Sequence, residues 1–218
     1  MAKIFNGMIS GRVGDLIFYR RNGVDYVRKV SKSPRKKPSA KQVAQREKFG
    51  IVMRFLSPLR GLLDESYRKI NPKSSGLQTA AKQILEEAIT GEYPAQRLDF
   101  SKVSLLRGNL GSPAAEMTYR SETNDLNLWW HVAMRTDCYL DDELIMLIYC
   151  PSISQAWTTL YKVAMRYEQG CLIQLPCELL GHEIHIWLAY RSAMGKYSES
   201  VYMGQILTKK LQEHENIQ

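Results

Sequence analysis

An α+β fold is what this sequence of 218 residues predicts: an N-terminal β-hairpin plus helices, then a C-terminal antiparallel immunoglobulin-like β-sandwich. Three observations carry that expectation. Asn22-Gly23 sits between two β-rich runs, Leu16–Arg20 and Val24–Val30. Apolar residues then recur at helical spacing between Ser39 and Gly91. From Leu98 onward, seven or eight short β-rich runs alternate with turn signals. The expected division is 1–97 for a basic hairpin, linker and three-helix unit, 98–207 for the sandwich, and 208–218 for a polar tail.

The hairpin comes first. A type I′ turn needs positive φ at both central positions, and Asn-Gly meets that need better than other dipeptides. Val24, Tyr26, Arg28 and Val30 fall on one face, and Asp25, Val27 and Lys29 on the other. Neither face is cleanly apolar. An isolated hairpin is marginal in water, so this one needs a packing surface. Gly7, Gly11 and Gly14 punctuate the segment before it and read as turns. The stretch Ser31–Pro38, with two prolines and four basic residues, reads as an extended, solvated tether.

Ser39 with Gln42 fits a capping box at the start of a first helix. Val43, Phe49, Ile51, Val52 and Phe55 form its apolar stripe. Ser57-Pro58 ends or kinks that helix, and Ser57 is placed to cap a second one with Pro58 at its first position. Leu59, Leu62 and Leu63 are its buried side. Residues 71–76 read as a loop. A third helix follows from Leu77 to Ile89, with Gly91 as its C-terminal cap.

The expected strands are Lys102–Arg107, Glu116–Arg120, Asn127–Met134, Glu143–Tyr149, Thr158–Met165, Cys171–Gln174, Glu183–Tyr190 and Ser200–Ile206. Leu126, Leu128 and Trp130 alternate with Asn127, Trp129 and His131. Short strands at such spacing fit a sandwich, with Trp130 as a core anchor.

Charge is unevenly placed. Residues 1–50 hold 13 Lys+Arg against 3 Asp+Glu, while the rest of the chain holds 17 against 19. The formal net charge of +8 is therefore an N-terminal property. Such asymmetry points to an interaction segment facing phosphates, an acidic protein or an anionic surface. The candidate partner-binding residues are Arg20, Arg21, Arg28, Lys29, Arg35, Lys36 and Lys37, with Tyr19 and Tyr26 as stacking platforms if the partner is nucleic acid.

Sites of other kinds find no pattern. Nucleophile elbows, P-loops, dinucleotide fingerprints and H-E-x-x-H are absent from the sequence. Cys138, Cys150, Cys171 and Cys177 form no C-x-x-C pair, and Cys150 and Cys171 sit in apolar runs as small hydrophobes. His182 and His185, three apart in an expected strand, would point to opposite faces and share no metal. Asp137, Asp141, Asp142 and Glu143 read as a solvated turn. No catalytic, cofactor or metal residue is assigned. No 18-residue apolar run or signal peptide is seen, so the expected location is cytoplasmic or particle-associated.

The motifs also resemble a family. Gly11-x-x-Gly14-Asp15-Leu16-Ile17-Phe18-Tyr19-Arg20, then Asn22-Gly23-Val24-Asp25-Tyr26-Val27-Arg28, then Pro38-Ser39-Ala40-Lys41-Gln42-x-x-Gln45-Arg46-x-x-Phe49 resembles the start of a family of uncharacterised proteins from Bacteroidota. The run Ile184–Tyr190, followed by Tyr197-Ser198-Glu199-Ser200-Val201-Tyr202-Met203-Gly204-Gln205-Ile206, resembles its end. The resemblance implies the same two-part division and brings no activity with it. The function expected is a non-enzymatic interaction or assembly protein. Its basic N-terminal hairpin and arm would contact a protein partner or a neighbouring copy in an oligomer or particle. The alternative is nucleic-acid binding through the same arm.

Overall fold

The computed structural model describes residues 3–5, 8–21, 23–30, 37–68, 75–132, 138–158 and 163–209. The chain divides into two compact units, Met1–Ser39 and Ala40–Gln218.

The first unit is a four-stranded antiparallel meander rather than a lone hairpin. Its strands are β1 (Lys3–Phe5), β2 (Met8–Val13), β3 (Leu16–Arg21) and β4 (Val24–Lys29), paired in that order. The glycines that read as punctuation hid the first two: Gly11 lies inside β2 and Gly14 in the turn after it. Gly7 lies outside the described residues. The expected two-residue turn joins β3 and β4, with Arg21 opposite Val24. Gly23 there has φ 81°, the positive value that favours glycine. Asn22 is outside the described residues.

The second unit opens with helices. α1 (Ala40–Leu56) starts at the residue after Ser39. Val52, Phe55 and Leu56 are its buried residues, whereas Phe49, expected inside, is 49% exposed. A 3-10 turn at Ser57–Leu59 follows, then α2 (Arg60–Arg68). Ser57 makes no side-chain cap: it is the first residue of the 3-10 turn, with Pro58 at the position where a missing N–H costs nothing. α3 spans Gly76–Glu87 and ends at Ala88. Gly91 does not cap it but lies in the turn between β5 (Ile89–Thr90) and β6 (Arg97–Leu98). Gly76 is where α3 meets α2, since a Cβ there would stand 2.1 Å from the Leu63 carbonyl oxygen.

The remaining strands are β7 (Ala115–Arg120), β8 (Asp125–Trp130), β9 (Glu143–Cys150), β10 (Gln155–Thr158), β11 (Ala164–Met165), β12 (Gly170–Gln174), β13 (Glu183–Arg191) and β14 (Val201–Leu207). One sheet runs β10-β9-β13-β14, with β11 also on β9, and the other runs β12-β8-β7. Leu126, Leu128 and Trp130 meet Leu144, Met146, Ile148, Ile184, Ile186 and Leu188 in the core between these sheets. Two antiparallel sheets sharing one core make the immunoglobulin-like sandwich. Trp130 is 2% exposed, and its Nε1 donates to the Arg166 carbonyl at 2.8 Å.

The larger sheet is buried on both faces. The residues of β13 that alternate with the inter-sheet set, His185, Trp187 and Ala189, are also buried. Trp187 and Ala189, with Ile145, Leu147 and Tyr149 of β9, form a second core with Phe55, Leu56, Leu59, Leu63 and Ile84 of the helices. The helices thus share a core with the sandwich, whereas the expected unit 1–97 groups them with the hairpin.

Two expected strands differ. No strand forms at Lys102–Arg107: Phe100–Lys102 is a 3-10 turn. The Leu105 and Leu106 amides donate to Ser200 Oγ at 2.8 and 3.2 Å, so a hydroxyl takes the place of a ladder partner. Thr158–Met165 divides into β10 and β11, both paired with β9, and residues 159–162 lie outside the described set. The expected Asn127–Met134 is β8, ending at Trp130. The tail reading also shifts: Thr208 is 3% exposed, and its hydroxyl donates to the His182 carbonyl at 2.9 Å. Residues 210–218 are outside the described set.

The turn around Asp141 and Asp142 is not wholly solvated. Asp142 is 1% exposed and holds the Arg166 guanidinium at 3.0 Å. That guanidinium also lies 3.7 Å over the Tyr190 ring, and its Nη2 donates to the Gly111 carbonyl at 3.0 Å. A charge buried this deeply needs such compensation. Asp137 lies outside the described residues.

Replacing Trp187 by Ala removes the largest fully buried side chain of the shared core and its Nε1 bond to the Val103 carbonyl at 3.0 Å. Urea denaturation is expected to show a loss of about 3–5 kcal/mol, while Val27→Ala, at an exposed position, shifts stability by about 0.5 kcal/mol or less.

Candidate functional site

Two places bring together side chains with chemistry: one in each unit. In the first unit, register decides which residues share a face, because directly opposed residues project to the same side of a pleated sheet. Arg12 is opposite Ile17, Ile17 opposite Arg28, and Tyr19 opposite Tyr26. These five form one face of β2-β3-β4, with Val24 and the Arg21 position at its end. Val13, Leu16, Phe18, Arg20, Asp25, Val27 and Lys29 share the other.

The first face is cationic and aromatic. The Tyr19 and Tyr26 rings lie 5.5 Å apart at 18°. Arg12 and Arg28 are exposed, and Arg12 Nε donates to the Gly14 carbonyl at 2.8 Å, which ties its base to the turn. No carboxylate falls on this face of β2-β3-β4; Asp25 belongs to the opposite one. There Arg20 lies 3.6 Å from Asp25 and donates to the Gly23 carbonyl at 2.9 Å.

The seven candidate residues therefore do not make one patch. Arg28 stands on the tyrosine face; Arg20 and Lys29 stand behind it. Arg21 has its register position on the tyrosine face, but its side chain lies outside the described set. Lys37 is exposed and outside any element. Arg35 and Lys36 lie outside the described residues. Sequence reading missed Arg12. Period-two alternation carried across the Gly14-Asp15 turn would have placed it beside Arg28.

The second place is a cleft of about 630 Å³ against β13 and β14, lined by Thr90, Arg97, Asp99, Phe100, His185 and Tyr202, among others. His185 is in β13, whereas His182 precedes it, so the two are not the opposed strand pair that spacing predicts. Phe100 stacks on the His185 ring at 3.8 Å. Nδ1 of His185 is 2.8 Å from the Tyr202 hydroxyl, and Nε2 is 3.3 Å from Glu183 Oε1. The carboxylate favours the ring proton on Nε2, which leaves Nδ1 to accept from Tyr202.

Burial pulls the His185 pKa below its ordinary 6.5, against the opposing pull of Glu183. Burial also pushes Tyr202 up, with Glu183 and Asp99 adding to it. A neutral imidazole and a protonated phenol result, and they pin β14 to β13 beside Phe100. Asp99 is held below its usual range, first by the Ser101 hydroxyl, and also faces Lys102 at 3.5 Å. Of the cleft wall, His185 and Tyr202 thus bond to one another and Asp99 bonds to Ser101.

Cys150, in β9, is buried, and burial pushes the half-buried Cys171 thiol up to about 11. Both pack as expected for small hydrophobes. Among the described residues no group of three or more His, Cys, Asp and Glu is placed to hold a metal ion, and no helix is long and apolar enough to cross a membrane.

His185 gives a pH dependence of known sign. Its folded pKa is depressed, so its contribution is complete above about 6.5 and is lost as pH falls below that value, where the unfolded chain binds the extra proton. Denaturation of wild type and His185→Gln on both sides of pH 6.5 is expected to show this acid-side loss in the wild type and its removal in the variant.

No curated protein matches the chain. Among solved structures, the fibronectin type III domain of the human collagen alpha-1(XX) chain is similar to it. That match has 13% identity and a TM-score of 0.33, and covers 50% of this chain and 90% of that one. One family model matches residues 8–204, spanning both units, and the chain belongs to that family: the Family of unknown function (DUF6266).

Proposed function

We propose that this is a non-enzymatic interaction protein that docks an anionic macromolecule through its N-terminal sheet. One observation carries the reading. Residues 1–39 hold 10 Lys+Arg against 2 Asp+Glu, leaving 20 of each in residues 40–218. The unit boundary at Ser39 is therefore also the boundary of the charge: the whole net +8 lies in the first unit. A field this concentrated steers and holds partners of opposite sign. It also disfavours the same unit of a second copy as the partner, because like charges would meet.

Every residue of β4 is exposed, with Val24 and Val27 each at 54% and Tyr26 at 44%. As an outer strand of its sheet, β4 presents a row of backbone groups. That observation favours a second reading, assembly by addition of β4 to a sheet edge on the near-neutral body of another copy.

Heparin affinity tests the first reading with a polyanion. Wild-type protein is expected to be retained, with elution at much lower salt for Arg12→Glu/Arg28→Glu than for Lys82→Glu/Arg120→Glu, a reversal of the same net charge at exposed residues of the body. Equal shifts for the two variants, or passage of wild type without retention, contradict it. For assembly through β4, light scattering must show mass rising with protein concentration; monomer mass throughout contradicts it.

A further inference from the structure

The partner can be specified further, on the reading that the N-terminal sheet docks a polyanion. A polyanion that is only a chain of charges would have no use for aromatic rings beside the cations. Yet Tyr19 and Tyr26, 39% and 44% exposed, share a face with Arg12 and Arg28. The two rings are nearly parallel at 18°, and the pair lies on adjacent strands directly opposite one another. Ile17 stands between the two arginines in register, and the Tyr19–Tyr26 pair forms the next row along the same face.

We infer that this face binds single-stranded nucleic acid, with unpaired bases stacked on Tyr19 and Tyr26 and phosphates held by Arg12 and Arg28. Each part follows from the chemistry. A base offers its π-face to a tyrosine only when it is unpaired, and Tyr19 and Tyr26, stacked on each other, leave the outer face of each ring for it. Planar guanidinium groups match phosphate oxygens in pairs, and Arg28 makes no ion pair among the described residues that would compete. A face clear of carboxylates, as this one is on β2-β3-β4, does not repel the backbone that tracks across it. An acidic peptide would answer the arginines and leave the tyrosines without a role. Duplex would answer the arginines and keep its bases from the rings.

Fluorescence anisotropy on the full chain tests this, with a labelled oligothymidine of about ten nucleotides, a duplex of equal charge, and polyglutamate as probes. Wild type is expected to bind the oligothymidine more tightly than either other probe. Tyr19→Ala/Tyr26→Ala is expected to weaken that binding about tenfold or more without changing its salt dependence, and Tyr19→Phe/Tyr26→Phe to retain it. Arg12→Ala/Arg28→Ala should flatten the plot of log affinity against log salt by about 1.4, roughly 0.7 for each phosphate no longer neutralised. Lys29→Ala, on the opposite face, should leave affinity within about twofold, allowing for long-range charge.

The failures separate. Polyglutamate or duplex bound as tightly as oligothymidine, or full affinity in the Tyr→Ala pair, overturns the single-strand assignment while polyanion docking stands. No binding to oligothymidine, polyglutamate or heparin overturns both. Circular dichroism matching wild type assigns a loss to the missing rings, and the Phe pair repeats that check with the ring shape kept.

Discussion

The body of this protein depends on one constraint: β13 is buried on both sides. Ile184, Ile186, Leu188 and Tyr190 go to the core between the two sheets, and Trp187 and Ala189 go to the core under the helices. A strand that alternates in this way has no polar face, so it needs cover on both. The sandwich supplies one cover and α1 to α3 supply the other. Phe55 of α1 reaches the sheet, with its ring 4.8 Å from that of Tyr149 and 5.9 Å from that of Trp187. The 3-10 turn at Phe100 adds a further ring and also shuts the His185 joint. Helices and both sheets of the body therefore meet on this strand, and residues 40–218 carry no formal net charge.

The first unit follows different physics. It places valines, tyrosines and leucine at exposed positions of a small sheet. It also gathers the net charge of the chain. The near-neutral body keeps its apolar side chains in two cores, whereas the sheet leaves its cations and rings exposed. In the cleft, Tyr202 meets His185, and Asp99 meets Ser101 and Lys102.

Much of the fold was legible in the sequence. Period-two alternation marks β8 and β13, β-rich composition marks β7, and helical spacing marks α1 to α3. Trp130 was recognised as a core residue. What escaped was the company each element keeps. Alternation puts Trp187 opposite Ile186, but a single strand cannot say whether its second face meets water or a helix. β1 and β2 escaped because glycine inside a short strand reads as a turn. Lys102–Arg107 has strand composition, but a serine hydroxyl takes its amides. The site was half legible: its charge and its tyrosines stand out in the sequence. Which cations accompany the rings depends on register, and register brings in Arg12 and turns Arg20 and Lys29 away.

The central claim is that recognition belongs to one face of the N-terminal sheet. Backbone amide NMR of the full chain, titrated with oligothymidine, reads that claim residue by residue. Shifts concentrated at Arg12, Ile17, Tyr19, Tyr26 and Arg28, with the body silent, are the result this account predicts. Shifts centred on Val13, Phe18 and Val27 of the other face, or on Phe100, His185 and Tyr202 at the cleft, would contradict it.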